Sequence, residues 1–116
     1  MKPNPNNPGI AGEQAALDFL LQQGCTLIGR NWHCPYGEID LIVRHGATLL
    51  FVEVKYRKNS RFGGAAYSIT PAKLAKLQKS TEFYLQQHRL ADTPCRLDAV
   101  LIEGSAAPQW IQNIGL

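Results

Sequence analysis

The segment Gly37–Lys55, GEIDLIVRHGATLLFVEVK, constrains the fold more than any other part of the chain. Two mainly apolar runs, interrupted by charged residues, flank a His45-Gly46 pair, and this pattern predicts a β-hairpin. A two-residue turn at that pair would place residue 40 opposite residue 51 and residue 38 opposite residue 53, and side chains two positions apart share a face of a strand. The charged side chains expected on one face of the hairpin are Glu38, Asp40, Glu53 and Lys55.

Three carboxylates on one face of a hairpin would repel one another, because opposed side chains lie only roughly 4.5 to 5.5 Å apart at Cβ. A divalent cation removes this conflict. Mg²⁺ takes oxygen ligands from one or two carboxylates and fills its other positions with water and phosphate oxygens. Lys55, two residues beyond Glu53, adds a positive donor facing the same space. The sequence therefore predicts a site for Mg²⁺ or Mn²⁺ in which Asp40 and Glu53 are ligands.

Motifs on both sides of the hairpin extend this pattern. They are Gly12-Glu13-x-x-Ala16, Arg30-Asn31, Gly37-Glu38-Ile39-Asp40-Leu41-Ile42, Phe51-Val52-Glu53-Val54-Lys55-x-Arg57, Lys73 and Arg96-Leu97-Asp98. The hairpin pattern resembles the PD-(D/E)xK nuclease core of restriction endonucleases, archaeal Holliday-junction resolvases and tRNA-splicing endonucleases. From about Gly9 to Ile102 the chain resembles the YraN family of small, endonuclease-like bacterial proteins. One departure is His33, which stands where the family pattern has an arginine that would make a peripheral phosphate contact.

The resemblance implies an α/β fold with a restriction-endonuclease-like core, in which helices flank a central mixed β-sheet. It also implies metal-dependent hydrolysis of phosphodiester bonds in structured or branched nucleic acid, with DNA as the expected partner. Lys55 would orient the nucleophile or stabilise the transition state. A two-fold homodimer is favoured for an enzyme that cuts two strands at a junction. The implied catalytic residues are Asp40, Glu53 and Lys55.

Glu13 lies in a predicted helix that runs from about Ile10 to Gln23 and stops at Gly24. It precedes Leu17 by four residues and so falls on the apolar stripe of that helix. The residues leave two explanations open. Glu13 could occupy an exposed first turn, where acids favour the helix dipole, or it could point into the active site as a further metal ligand. The family resemblance favours the metal ligand.

Seven basic residues and no acidic one lie between Glu53 and Glu82. Such clusters attract polyanions, nucleic acid among them. The alternative is a solvated helix face followed by a polar loop. The neighbouring metal site favours contact with phosphate. The predicted nucleic-acid-binding residues are Arg57, Lys58, Arg61, Lys73 and Lys76.

The remaining segments complete an order of helix, strand, strand, strand, helix and strand. Thr70-Pro71 is an N-cap and first-turn pair that predicts a helix to about Leu90. Asp98 interrupts an apolar strand, and we expect it to pair with Arg96, Lys55 or a backbone donor. The other predicted segments are a tail at residues 1–8, a strand at 25–33, a mobile loop at 58–67, a strand at 96–103 and an edge strand at 109–114. Residues 9–116 would form a single domain.

The composition indicates a soluble, cytoplasmic protein. Hydrophobic residues make up 45% of the 116 residues, yet no run approaches the roughly 18 apolar residues of a membrane span. Three widely spaced cysteines favour reduced thiols. Two other functions stay open. The chain could be a non-catalytic nucleic-acid-binding module, or a scaffold in which Lys55 neutralises Glu53 and Asp40 within a structural salt-bridge network.

Overall fold

The computed structural model describes residues 8–58 and 69–115. Within them, two helices accompany five strands that form one sheet of order β1-β2-β3-β4-β5. The elements are α1 (Pro8–Gln22), β1 (Thr26–Cys34), β2 (Gly37–His45), β3 (Thr48–Arg57), α2 (Pro71–Gln87), β4 (Cys95–Glu103) and β5 (Gln109–Ile111). Strands β3 and β4 are parallel and the other neighbours are antiparallel. The predicted α/β class, mixed sheet and element order are therefore confirmed. The predicted tail and mobile loop, with Arg61, fall almost entirely outside the described residues.

Local capping starts α2 where the sequence predicts it. Thr70 has an extended backbone, and its Oγ1 accepts a hydrogen bond of 3.1 Å from the backbone N–H of Lys73. Pro71 follows at the first helical position, where its missing N–H is not needed. The cap fixes the first turn of α2, which carries Lys73, relative to the sheet.

The helices cover opposite faces of the sheet, and each face has its own buried cluster. On the α1 face these residues are Ala16, Leu17, Leu20, Cys25, Leu41, Val43, Leu50, Val52, Val100 and Ile102. On the α2 face they are Ile39, Ile42, Leu49, Phe51, Leu77, Tyr84 and Leu97. Fully burying one such side chain contributes about 1.5 to 3 kcal/mol. The two clusters hold both helices against the strands that carry the charged residues.

The observed hairpin corrects the predicted register by two residues. His45 pairs with Thr48, so the turn residues are Gly46 and Ala47 rather than His45 and Gly46. Gly46 has a φ of +62°, a conformation that glycine adopts without strain. Phe51 consequently pairs with Ile42 instead of Asp40. Continuing the same register brings position 40 level with Glu53.

Asp98 is fully buried and satisfied by local donors, as predicted. Arg96 donates to both of its oxygens, at 3.3 Å from Nε and 3.1 Å from Nη2. Trp110 Nε1 and the backbone N–H of Asn113 add bonds of 2.9 Å each. This network ties β4 to the segment that contains β5. All three cysteines are free, and no helix in the described ranges has the length and apolarity of a membrane span.

Candidate active site

A fork opens between β2 and β3 at Asp40. The last pair in the ladder between these strands is Leu41 with Val52. Beyond it, β2 continues beside β1 and β3 continues beside β4. The Asp40 carboxylate lies at this point and accepts a 2.8 Å hydrogen bond from the backbone N–H of Val54 through Oδ2. At the fork, the backbone N–H of Val54 therefore donates to a side-chain carboxylate of β2 rather than to a backbone carbonyl of that strand.

Face alternation in β2 also breaks at Asp40. Leu41 belongs to the α1-face cluster, whereas Ile39 belongs to the α2-face cluster. Opposite this break, Asn31 of β1 has a φ of +48°, a left-handed conformation that asparagine tolerates better than most residues. The irregularity is confined to the part of the sheet where the charged side chains gather.

Glu53 of β3 is the most enclosed of these acids, with 2% of its surface exposed. Its Oε1 lies 3.2 Å from Lys55 Nζ and 3.5 Å from Lys73 Nζ. Its other oxygen, Oε2, is buried and receives no hydrogen bond from any described residue. A buried carboxylate oxygen without a donor costs free energy. Glu53 therefore has one satisfied oxygen and one oxygen available to a ligand.

Two further acids, Glu13 of α1 and Glu38 of β2, lie close to the Asn31 side chain. When the Asn31 side-chain amide presents its nitrogen to them, it donates to Glu13 Oε1 at 2.8 Å and to Glu38 Oε1 at 3.0 Å. Burial raises the pKa of Glu13, and the charges of Glu38 and Glu53 raise it further, whereas Arg30 and Asn31 lower it. Glu13 thus faces the acid cluster and is half-buried, and it does not lie in the first turn of α1, which contains no acid.

Burial raises the pKa of Asp40 to about 7, and the charge of Glu53 is the next contribution. Glu13 and Glu38 act in the same direction, while the hydrogen bond from Val54 lowers the pKa. Four carboxylates therefore interact electrostatically across the fork. We call Glu13, Glu38, Asp40 and Glu53 the acid cluster.

The donor set of the acid cluster suits a hard divalent cation. All four acids offer oxygen, which Mg²⁺ and Mn²⁺ prefer, and Glu53 Oε2 is an unpartnered buried oxygen. Within residues 8–58 and 69–115, however, no three His, Cys, Asp or Glu side chains are already arranged tightly enough to hold a metal ion. The residues fit a cation chemically, and binding would need side-chain rearrangement.

The predicted basic residues separate into two groups. Lys73 reaches Glu53 from α2 and so lies at the acid cluster itself. Lys76 is exposed one turn further along α2, and Arg57 and Lys58 are exposed at the end of β3. Arg61 lies outside the described residues. The fold therefore brings Lys73 next to the acid cluster.

Sequence reasoning missed Asn31 as a member of the site. Its contribution depends on a left-handed backbone and on an amide that reaches two acids from different elements. Its occurrence in the Arg30-Asn31 motif was the one sequence signal. Glu38 was expected on the charged face of the hairpin, yet its proximity to Glu13 could not be read from the hairpin alone.

Over the described residues, the fold and the site define an α/β protein with a five-stranded mixed sheet, two helices and a partly buried acid cluster beside two lysines. The chain belongs to the uncharacterised protein family UPF0102, whose sequence model matches residues 12–102. A UPF0102 protein of Neisseria meningitidis serogroup C is 74% identical over 106 residues, which cover 91% of this chain and 92% of the relative. A UPF0102 protein of Nitrosomonas eutropha is 51% identical over 107 residues, which cover 92% and 91%. Membership in a family of bacterial proteins is thereby confirmed, whereas the names of these relatives state neither an endonuclease-like superfamily nor an activity.

Proposed function

We propose that this protein is a metal-dependent nuclease that hydrolyses phosphodiester bonds of structured or branched nucleic acid. The observation that carries the proposal is the acid cluster at the fork, in which buried Glu53 keeps one oxygen without a donor. Lys55 lies 3.2 Å from the other oxygen of the same carboxylate. The resemblance of the Asp40, Glu53 and Lys55 pattern to PD-(D/E)xK nucleases supports this reaction class.

Asp40 and Glu53 would hold Mg²⁺ or Mn²⁺, with Glu13 assisting from α1. Bound there, the cation would activate a water molecule and neutralise the charge that develops on the phosphate. Burial is the larger cause of the raised pKa of Asp40, and the neighbouring carboxylates add to it. A bound cation would offset both the burial of these charges and their mutual repulsion.

Lys55 would supply the positive charge on the substrate side of the cluster. Its side chain is 22% exposed, so the ammonium is partly desolvated but reachable from solvent. A partly buried ammonium stabilises developing negative charge more strongly than one in bulk water. We therefore assign Lys55 to orienting the nucleophile or to stabilising the charge on the reacting phosphate.

A structural salt-bridge network is the rival explanation, and the pairing of both lysines with Glu53 favours it in part. Two features argue against it. Both lysines approach Oε1, which leaves Oε2 without a partner among the described residues. Among the described residues, Asp40 receives a hydrogen bond from the backbone N–H of Val54 and forms no ion pair with a lysine, and its pKa is raised rather than lowered. A network built for stability would distribute the lysines over both oxygens.

Nucleic acid would reach the cluster along the basic residues. The exposed side chains of Arg57, Lys58 and Lys76 can contact flanking phosphates, as can the predicted contact Arg61. Contacts of this kind set the position of a nucleic acid without reading its sequence. A second copy of the chain would supply the second cut at a junction.

The test is a cleavage panel of junction, flap, duplex and single-stranded DNA and RNA with Mg²⁺ or Mn²⁺. Wild type should cut at least one branched substrate, and Asp40→Ala should abolish the cut. Asp92→Ala, which removes an exposed acid from the loop before β4, is the matched control and should leave cleavage unchanged. Absence of metal-dependent cleavage by wild type on every substrate would contradict the proposal and leave a binding or scaffold role.

A further inference from the structure

An open cavity of about 270 Å³ lies between α2 and the turn that joins β1 to β2. Its volume is just under that of common small-molecule sites, which run from about 300 Å³, so it suits one ring system rather than a larger ligand. The lining residues are Tyr36, Lys79, Glu82, Phe83 and Gln86. We call this the aromatic cavity.

Two aromatic rings form adjoining walls of the aromatic cavity. The Tyr36 and Phe83 ring centres are 6.1 Å apart and their planes meet at 69°. Trp32 packs behind Phe83 at 6.0 Å, and 48% of the Tyr36 surface is exposed. Exposed aromatic faces of this kind stack on unpaired nucleobases in proteins that bind single strands.

The polar residues of the cavity suit the rest of a nucleotide. Lys79 Nζ lies over the Tyr36 ring, 6.0 Å from its centre, so a nucleotide that enters the cavity would meet a cation able to pair with its phosphate. Glu82 and Gln86 follow on the same face of α2, three and seven residues after Lys79. A carboxylate can accept a hydrogen bond from the edge of a base, and an amide can both accept and donate one.

The turn that carries Tyr36 is fixed to α2. The Cys34 thiol donates a hydrogen bond of 3.4 Å to Oγ of Ser80, which is buried in α2. Gly37 has a φ of +148°, and a Cβ there would lie 3.7 Å from Ser80 Oγ. A ring held in place before binding loses less conformational entropy when a ligand arrives.

The aromatic cavity is connected to the acid cluster through two elements: α2, whose Lys73 contacts Glu53, and β2, which follows Tyr36 and carries Asp40. Phe83 is ten residues after Lys73 in α2, which corresponds to about 15 Å of helix. Tyr36 is four residues before Asp40, which corresponds to about 13 Å of strand. Both spans equal about four base steps at 3.4 Å each.

We infer that the aromatic cavity binds one unpaired nucleobase of a branched or tailed nucleic acid, about four base steps from the phosphate at the acid cluster. The inference rests on the proposed function in taking nucleic acid as the ligand. It adds a reason for selecting branched substrates, because a base inside a duplex cannot enter the cavity without being unpaired.

The test compares a duplex that carries a four-nucleotide single-stranded tail with a blunt duplex of equal charge, in EDTA at fixed salt. Wild type should prefer the tailed duplex, and Tyr36→Ala should weaken its binding about 5- to 100-fold while leaving the blunt duplex unchanged. Tyr36→Phe keeps the ring and should retain the preference. Ile28→Ala, an exposed apolar change near the other end of β1, should also retain it.

A 2-aminopurine in the tail gives a direct readout, because its fluorescence falls when it stacks on an aromatic ring. Quenching should occur with wild type and Tyr36→Phe and disappear with Tyr36→Ala. Equal binding of the tailed duplex by wild type and Tyr36→Ala, or no preference by wild type, would overturn the inference. Since EDTA removes cleavage from this assay, an inactive protein with a Tyr36-dependent preference would refute the nuclease proposal alone.

Discussion

Lys73, in the first turn of α2, places its Nζ 3.5 Å from Glu53 Oε1 on β3. Lys55 approaches the same oxygen at 3.2 Å from within β3. The Thr70 cap fixes where α2 begins, so the helix presents Lys73 to the acid cluster while Lys76 points to solvent. Two lysines that form one basic row in the sequence therefore have different surroundings.

Substituting these lysines singly should separate their roles. Lys76→Ala should weaken nucleic-acid binding and lower the slope of log affinity against log salt by about one, because one phosphate contact is lost. Its cleavage rate at saturating substrate should be unchanged. Lys73→Ala should also slow cleavage at saturation, because it removes positive charge from the acid cluster. Salt titrations and single-turnover cleavage measure both effects.

A double variant tests whether Lys73 and Lys76 contact nucleic acid at all. If Lys73→Ala combined with Lys76→Ala binds nucleic acid as tightly as wild type, with the same salt slope, neither lysine contacts the nucleic acid. If Lys73→Ala slows cleavage and Lys76→Ala does not, the effect on the rate comes from the position of Lys73 beside Glu53.

Asp40 should make the protein less stable as the pH rises. Its pKa is about 7 in the folded chain, against 3.8 ordinarily, mainly because it is buried. Between these values the folded state holds a proton that the unfolded state has lost. The stabilisation is therefore complete below about pH 4 and lost as the pH rises through 7. In EDTA, the contribution of this group should fall by on the order of 4 kcal/mol over that window, because each pKa unit corresponds to about 1.4 kcal/mol.

Asp40→Asn is the variant that isolates this effect. Its amide oxygen can still accept from Val54, but it carries no charge at any pH. Urea unfolding at pH 5 and pH 8 in EDTA should show that the variant is the more stable protein at pH 8 and loses less stability between the two. A wild type that gains stability relative to Asp40→Asn as the pH rises would contradict the direction of the shift.

Replacing Asp98 should destabilise the protein, because its buried carboxylate is fully paired. Asp98→Ala leaves the Arg96 guanidinium and the Trp110 N–H without their acceptor. Removing one partner of a buried ion pair costs about 3 to 5 kcal/mol. Urea unfolding should show this loss, whereas Asp92→Ala should stay within about 0.5 kcal/mol. A change in unfolding free energy below 1 kcal/mol for Asp98→Ala would contradict a structural role for this network.

The elements of the fold could be predicted because their signals are local. Thr70-Pro71 caps α2 through one local hydrogen bond, from the backbone N–H of Lys73 to Thr70 Oγ1. The alternation of apolar and charged residues on both sides of Gly46 predicts the two strands of the hairpin. The turn itself was misplaced by one residue because both His45-Gly46 and Gly46-Ala47 can form a two-residue connection. In the structure the turn consists of Gly46, which has a positive φ, and Ala47. Which of the two connections forms depends on how the whole strands pack.

The site could be predicted only in part, because its members meet through tertiary structure. The hairpin pattern indicated Asp40, Glu53 and Lys55, which lie within one pair of strands. The fork at Asp40 forms because β2 separates from β3, and the sequence carries no local signal for this separation. Asn31 and Lys73 reach the acids from β1 and α2. Such contacts depend on how the elements are arranged around the sheet.

Lys55 offers the clearest test of whether the acid cluster is catalytic. Lys55→Ala removes a donor next to Glu53 but leaves Lys73 on the same oxygen. Metal and substrate binding should therefore largely survive. Loss of one preorganised contact to a transition state typically slows a reaction on the order of 100- to 1,000-fold. Lys58→Ala removes the same charge three residues further on, at an exposed position, and should alter only salt-dependent binding.

A purely structural lysine would give the reverse result. Its removal would leave Glu53 with half of its cationic partners, so the melting temperature would fall and no activity would be lost. Measuring cleavage and thermal unfolding of Lys55→Ala beside wild type, with and without Mg²⁺, separates the two roles. A nuclease requires a large fall in rate with little change in melting temperature. A lower melting temperature in a protein that never cuts would instead identify the lysine–glutamate pair as part of a scaffold, because the charge would then serve only to offset the burial of Glu53.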